Sequence, residues 1–131
     1  MNRDDEQLRL LAIFHYVVAG LAALFAMFPV IHLCMGLFFV FGASHLTQPG
    51  QTPPPAWFGW IFIIVASLFI LLGLTLASLI FATGRCLARR KHHQFCFVMA
   101  CVECLFMPFG TILGVFSIIV LNRETTKQLF A

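Results

Sequence analysis

The stretch that most restricts this chain is Phe95 to Leu121, an apolar run carrying one carboxylate, Glu103, one proline, Pro108, and a Gly110-x-x-x-Gly114 pair. A charge inside such a run is expensive, and a proline removes a backbone hydrogen bond. Both need neighbours that compensate, so the rest of the chain is expected to pack around this segment. A soluble domain is about half apolar and about a quarter charged. Here 61% of residues are hydrophobic and 10% are charged. That balance excludes a soluble globule and predicts one integral membrane domain. In lipid every backbone polar group must be satisfied within a helix or a closed barrel. The alternation of apolar and polar residues that marks a barrel is absent. The fold class expected is therefore all-α: a bundle of four transmembrane helices near 8–28, 30–45, 57–83 and 94–121, with a polar tail over 122–131.

Each boundary has a local reason. Asp4 with Gln7 fits a helix N-terminal capping pair, and the acidic start is unlike the basic head of a signal peptide. The first run is thus expected to stay in the mature protein. A single helix from Leu8 to Ser44 would be about 55 Å long at 1.5 Å per residue, too long for one crossing. A tight hairpin at Phe28-Pro29 is expected instead. Residues 46–56 hold Pro53, Pro54 and Pro55 in a row, which forbids helix and reads as an interhelical loop. Trp57 and Trp60 mark the interface where the third helix begins. For the fourth, a break at Pro108 into a re-entrant hairpin is the alternative to a continuous helix. The arms of such a hairpin are too short to span singly.

Small residues recur at helical spacing: Ala12, Ala19, Ala23 and Ala26; Ala66, Gly73, Ala77 and Gly84; Gly110, Gly114 and Ser117. Such seams let helices approach closely, and Gly73, Ala77, Gly110, Gly114, Ala19 and Ala23 are the expected packing positions. Arg85, Arg89, Arg90 and Lys91 form the only basic cluster, expected to meet anionic lipid headgroups. Four crossings would put both termini and the proline loop on one face and this cluster on the other. The Lys/Arg count then ties at four against four. The denser cluster favours a cytoplasmic basic loop with both termini outside.

Glu103 lies about 13 Å beyond Gln94 at 1.5 Å per residue, too deep for a short carboxylate to reach water. It is expected to point into the bundle. Depth ranks Ser67 first as its partner, then His15 and Tyr16. The Cys104 carbonyl, left without an amide partner by Pro108, is a local acceptor. Cys96, Cys101 and Cys104 have the spacing of a plant-type iron–sulfur loop, but cluster loops need irregular backbone and this run is helical. Nothing pairs His15, His32 and His45 for haem. No zinc motif, nucleotide loop or nucleophilic triad is visible, so neither cofactor nor enzyme activity is expected.

The run Leu105-Phe106-Met107-Pro108-Phe109-Gly110-Thr111-Ile112-Leu113-Gly114-Val115-Phe116, with Phe28–His32 and Phe95–Glu103, resembles a pattern of small uncharacterised bacterial inner-membrane proteins. The resemblance covers about half the chain and implies a multi-pass inner-membrane location, with no activity attached. The function expected is that of a non-catalytic accessory or scaffold subunit, packing with another membrane protein or with a second copy. The alternative is a small oligomeric channel or transporter component that uses Glu103. The lipid bilayer is the expected partner, and nucleic acid is not.

Overall fold

A computed structural model describes residues 3–105 and 109–130. It is helical, with no strand among the described residues. Helix α1 runs Arg3–Ala26, α2 Val30–Leu37 and α3 Ala43–Leu46, with a π-helical turn Phe38–Gly42 between the last two. Then come α4 Ala56–Arg89, α5 His93–Glu103, α6 Phe109–Leu121 and α7 Glu124–Leu129. Two stretches are long and apolar enough to cross a membrane, Arg3–Leu46 and Ala56–Arg89. At 11 and 13 residues, α5 and α6 fall short of the roughly 20 a crossing needs.

The chain divides into two compact units: Ala23–Thr75, and Met1–Ala22 with Leu76–Ala131. In the first, α2 and the end of α1 run antiparallel to the first part of α4. Gly73 faces Ala26, and Gly36 faces Gly59 and Ile63. A Cβ on Gly73 would lie 2.6 Å from that of Ala26, and one on Gly36 would lie 2.9 Å from the Gly59 carbonyl. Only glycine permits such approach, which is how apolar helices gain dispersion contact. Phe39, Phe58 and Phe62 fill the space beside it with edge-on ring contacts.

This pairing corrects the expected hairpin at Phe28-Pro29. Ala26 and Gly36 meet α4 at points fourteen residues apart, about 21 Å at 1.5 Å per residue. A chain that reversed at residue 29 would bring them to one level. Pro29 has φ −65° and ψ −7°, which is helical. Its missing N–H falls where a new helix start needs none. The Pro29 carbonyl accepts from the Leu33 amide at 2.9 Å, and the run continues.

In the other unit, α1 and the last part of α4 are antiparallel. A Cβ on Gly84 would lie 3.2 Å from His15 Cβ and 3.3 Å from the Ala12 carbonyl. The single fourth helix expected over 94–121 is two helices. His93 Nε2 donates to the Leu121 carbonyl at 2.8 Å, joining the outer ends of α5 and α6. A Cβ on Gly114 would fall 2.6 Å from the Ala100 carbonyl and from Cys104 Sγ. Helices α5 and α6 are therefore an antiparallel hairpin. Pro108, where the break was expected, lies outside the described residues. The core of this unit is Leu8, Leu11, Ala12, Leu87, Cys96, Leu113, Val120 and Leu121, with Leu129 and Phe130 of the tail packed against it.

The hairpin overturns the expected separation of the termini from the basic loop. Arg90 pairs with Asp5. Arg123 Nη1 donates to Gln7 Oε1 at 2.8 Å and lies 3.5 Å from Asp4 Oδ1. The start of α1, the loop 89–93 and the start of the tail thus gather at one end of this unit.

Candidate functional site

His15 and Glu103 are the two largest polar side chains wholly withdrawn from the surface, at 0% and 2% exposure. His15 sits on the face of α1 that carries Leu8, Leu11, Ala12 and Ala19, all buried, the periodicity of a packed helical stripe. Glu103 is the last residue of α5, on the face that buries Cys96, Met99 and Ala100. Because α1 and α5 start at the same end of the unit, their depths match. Glu103 is ten residues from His93 and His15 twelve from Arg3, about 15 and 18 Å along the two helices.

His15 Nε2 lies 3.1 Å from Glu103 Oε2. The contact falls short of hydrogen-bond geometry, so neither His15 Nε2 nor either Glu103 oxygen has a hydrogen-bond partner among the described residues. On the other side of the ring, His15 Nδ1 donates to the Leu11 carbonyl at 2.7 Å. A carbonyl can only accept, so that bond fixes a proton on Nδ1 and orients the ring. Thr83 on α4 and Ser117 on α6 are buried in the same unit at 1% exposure. The Thr83 hydroxyl donates to the Leu79 carbonyl at 2.9 Å. Ser117 Oγ lacks a partner among the described residues.

Of the other expected partners, Ser67 belongs to the Ala23–Thr75 unit. Tyr16 is half-buried, its ring 5.2 Å from that of Phe81. The Cys104 carbonyl accepts instead from Thr111 Oγ1, at 2.9 Å. Among the packing positions, Ala19 and Ala77 are buried at 5% and 7%. Gly110 is buried and Ala23 half-buried. The close approaches of Gly73 and Gly114 are matched by a pair the sequence did not single out, Gly36 with Gly59. The available signal was a glycine near aromatic residues on each side of the proline loop, Gly36-Leu37-Phe38 before it and Phe58-Gly59-Trp60 after it. Arg85, Arg89, Arg90 and Lys91 are all exposed, and Arg90 is held by Asp5. Among the described residues no three His, Cys, Asp or Glu side chains gather as a metal site.

No protein-family model matches the chain, and no curated protein or solved structure matches it either.

Proposed function

We propose that the chain is a small, non-catalytic integral membrane protein, an accessory or scaffold subunit that packs in the bilayer with a partner protein or with itself. The observation that carries this reading is the apolar surface. Leu24, Phe25, Phe41, Leu46, Ile64, Phe69 and Leu71 are each more than 60% exposed. Water penalises each such side chain by roughly 1.5–3 kcal/mol relative to burial, so a hydrocarbon or protein surround is required. Arg3–Leu46 and Ala56–Arg89 then contribute one crossing each, with the surplus length of the first standing beyond the hydrocarbon, and α5 with α6 forms a re-entrant hairpin that enters and leaves on one side. All eight Lys and Arg fall outside Ala23–Thr75. The positive-inside rule accordingly places both termini and the basic loop in the cytoplasm of a bacterial cell, with anionic headgroups at Arg85, Arg89 and Lys91. The test is isolation of the tagged full chain in mild detergent. Stoichiometric co-purification of a membrane partner, or a stable homo-oligomer, is expected. A lone monomer in native-like lipid overturns the scaffold reading.

A second reading has one specific observation behind it: a carboxyl and an imidazole buried together on different helices. Ionisable side chains inside membrane proteins often handle protons or ions. On that reading the protein is part of a small channel or transporter. Proton flux into liposomes, present in the wild type and lost in Glu103→Gln, is its signature.

A further inference from the structure

We propose that His15 and Glu103 together form a site for one proton, carried either on Nε2 or on the carboxyl, so that the pair has no net charge whichever group carries it. The inference concerns the occupancy of the site and goes beyond both functional readings, since neither fixes how many protons the pair holds.

The count follows from the partners. Nδ1 keeps its proton in every state, because the Leu11 carbonyl 2.7 Å away can only accept. The remaining possibilities are none, one or two protons on Nε2 and Oε2. With none, a bare ring nitrogen faces a carboxylate oxygen at 3.1 Å, and the core holds a net anion. With two, an imidazolium N–H faces a carboxylic acid, and the core holds a net cation. Among the described residues no buried charged side chain beside them offsets either charge. The other buried polar side chains there are the hydroxyls of Thr83, Ser117 and Thr126, and the buried thiol is that of Cys96. Gly84 closes the α4 side against His15 Cβ. An uncompensated ion in such a place is strongly disfavoured, because its desolvation is not repaid. One proton leaves zero net charge. Its transfer from Oε2 to Nε2 breaks one O–H bond, forms one N–H bond and turns a neutral pair into an ion pair. The sum of charges is unchanged, and the bond to Leu11 is untouched.

The site also fastens the hairpin. Glu103 ends α5, and the side chain its carboxyl meets at 3.1 Å is His15 of α1. The single proton is thus the link between a span and the hairpin beside it.

The test is solid-state NMR of the full chain, with labelled His and Glu, in nanodiscs of phosphatidylethanolamine and phosphatidylglycerol at pH 7. It reads the fraction of His15 present as imidazolium and the fraction of Glu103 present as carboxylic acid. The two fractions are expected to sum to one, with Nδ1 protonated throughout. A sum near zero or near two, or a bare Nδ1, overturns the proposal. In Glu103→Gln the shared proton is gone, and His15 is expected as the neutral ring with Nδ1–H retained. An imidazolium in that variant overturns the proposal too. If Glu103→Gln fails to fold, the wild-type sum decides alone. Proton flux is not part of this readout, so failure of the transport reading and failure of the one-proton site remain separate results.

Discussion

Ala23–Thr75 contains no Asp, Glu, Lys or Arg, whereas the other unit contains all eight basic and all five acidic residues of the chain. The two are held together by different forces. The uncharged unit relies on close backbone approach at Gly36–Gly59 and Gly73–Ala26, and on rings: Phe39 on Phe58, Phe58 on Phe62, His32 stacked on Phe62. Lipid tails are as apolar as these side chains, so burial gains nothing there and fit decides. The charged unit adds side-chain hydrogen bonds and ion pairs that join distant segments: Arg90 to Asp5, Arg123 to Gln7, His93 to Leu121, His15 to Glu103. The lesson is that one chain specifies its two units in two ways, one by shape and the other by polar partners as well.

The comparison breaks first at the glycines. Gly114→Leu is expected to be the most damaging single change, because even its Cβ meets a backbone carbonyl and a sulfur at 2.6 Å. Overpacking of this kind costs about 1–3 kcal/mol and occasionally more, and the upper end applies because backbone cannot rotate away. Gly73→Leu meets only the Ala26 side chain and Cα, so the helices can part slightly and about half that loss is expected. Thermal unfolding in detergent measures both. Equal stability of the two variants and the wild type would mean that neither unit depends on close approach.

Glu103→Leu comes next. It removes the carboxyl beside His15 Nε2 and leaves that buried nitrogen facing apolar atoms, a loss of about 1–3 kcal/mol. Glu103→Gln keeps a donor and is expected to fall within about 1 kcal/mol of wild type. If Leu and Gln behave alike, the pair contributes nothing to the fold. A double-mutant cycle with His15→Leu should recover part of the Glu103→Leu loss, since removing both partners strands neither.

A third prediction sharpens the charge asymmetry. Replacing Arg85, Arg89 and Lys91 by Gln removes three exposed cations, each worth about 1 kcal/mol near an anionic surface. A C-terminal fluorescent-protein fusion, bright only in the cytoplasm, should lose signal as part of the population inverts. Arg90→Gln alone should change the signal less, because Asp5 already offsets that charge.

Helical character and two long apolar helices were legible from composition and run length. The path of the first helix was not. A proline in an apolar run can bend it or end it, and the choice at Pro29 is settled by what Ala26 and Gly36 touch on α4. Bilayer thickness argued for a turn, but thickness is not a local force on residue 29. The partner of Glu103 was missed in rank for a related reason. Depth was measured on the assumption that helix one enters from the face opposite the basic loop. Once the hairpin returns α6 to the end where α5 began, α1 and α5 share a starting level and His15 displaces Ser67. The burial of Thr126 and the docking of Phe130 against His93 had no sequence signal beyond a Leu-Phe pair near the end of the tail.

The smallest expected effect lies in the turns, where the two units again differ. The proline loop of the uncharged unit makes its left-handed turn at Gly50, φ 98°, at no steric cost. The turn between α4 and α5 instead uses Arg90 at φ 54° and His92 at φ 55°. Arg90 has compensation. The Lys91 amide donates to the Cys86 carbonyl at 3.1 Å and the Arg90 amide to the Leu87 carbonyl at 3.3 Å, the paired bonds of a left-handed helix cap, and its guanidinium reaches Asp5. His92 is exposed, and its side chain makes no capping hydrogen bond to α5. Left-handed backbone costs a residue with a Cβ about 1 kcal/mol relative to glycine. His92→Gly is therefore expected to stabilise the charged unit by up to about 1 kcal/mol, less the entropy a glycine adds to the unfolded chain. Arg90→Gly should gain nothing, because it removes the ion pair along with the strain. A small rise in unfolding temperature for His92→Gly, with none for Arg90→Gly, is the expected pattern. The reverse order would mean that the Asp5 pair contributes less than the backbone it holds in place.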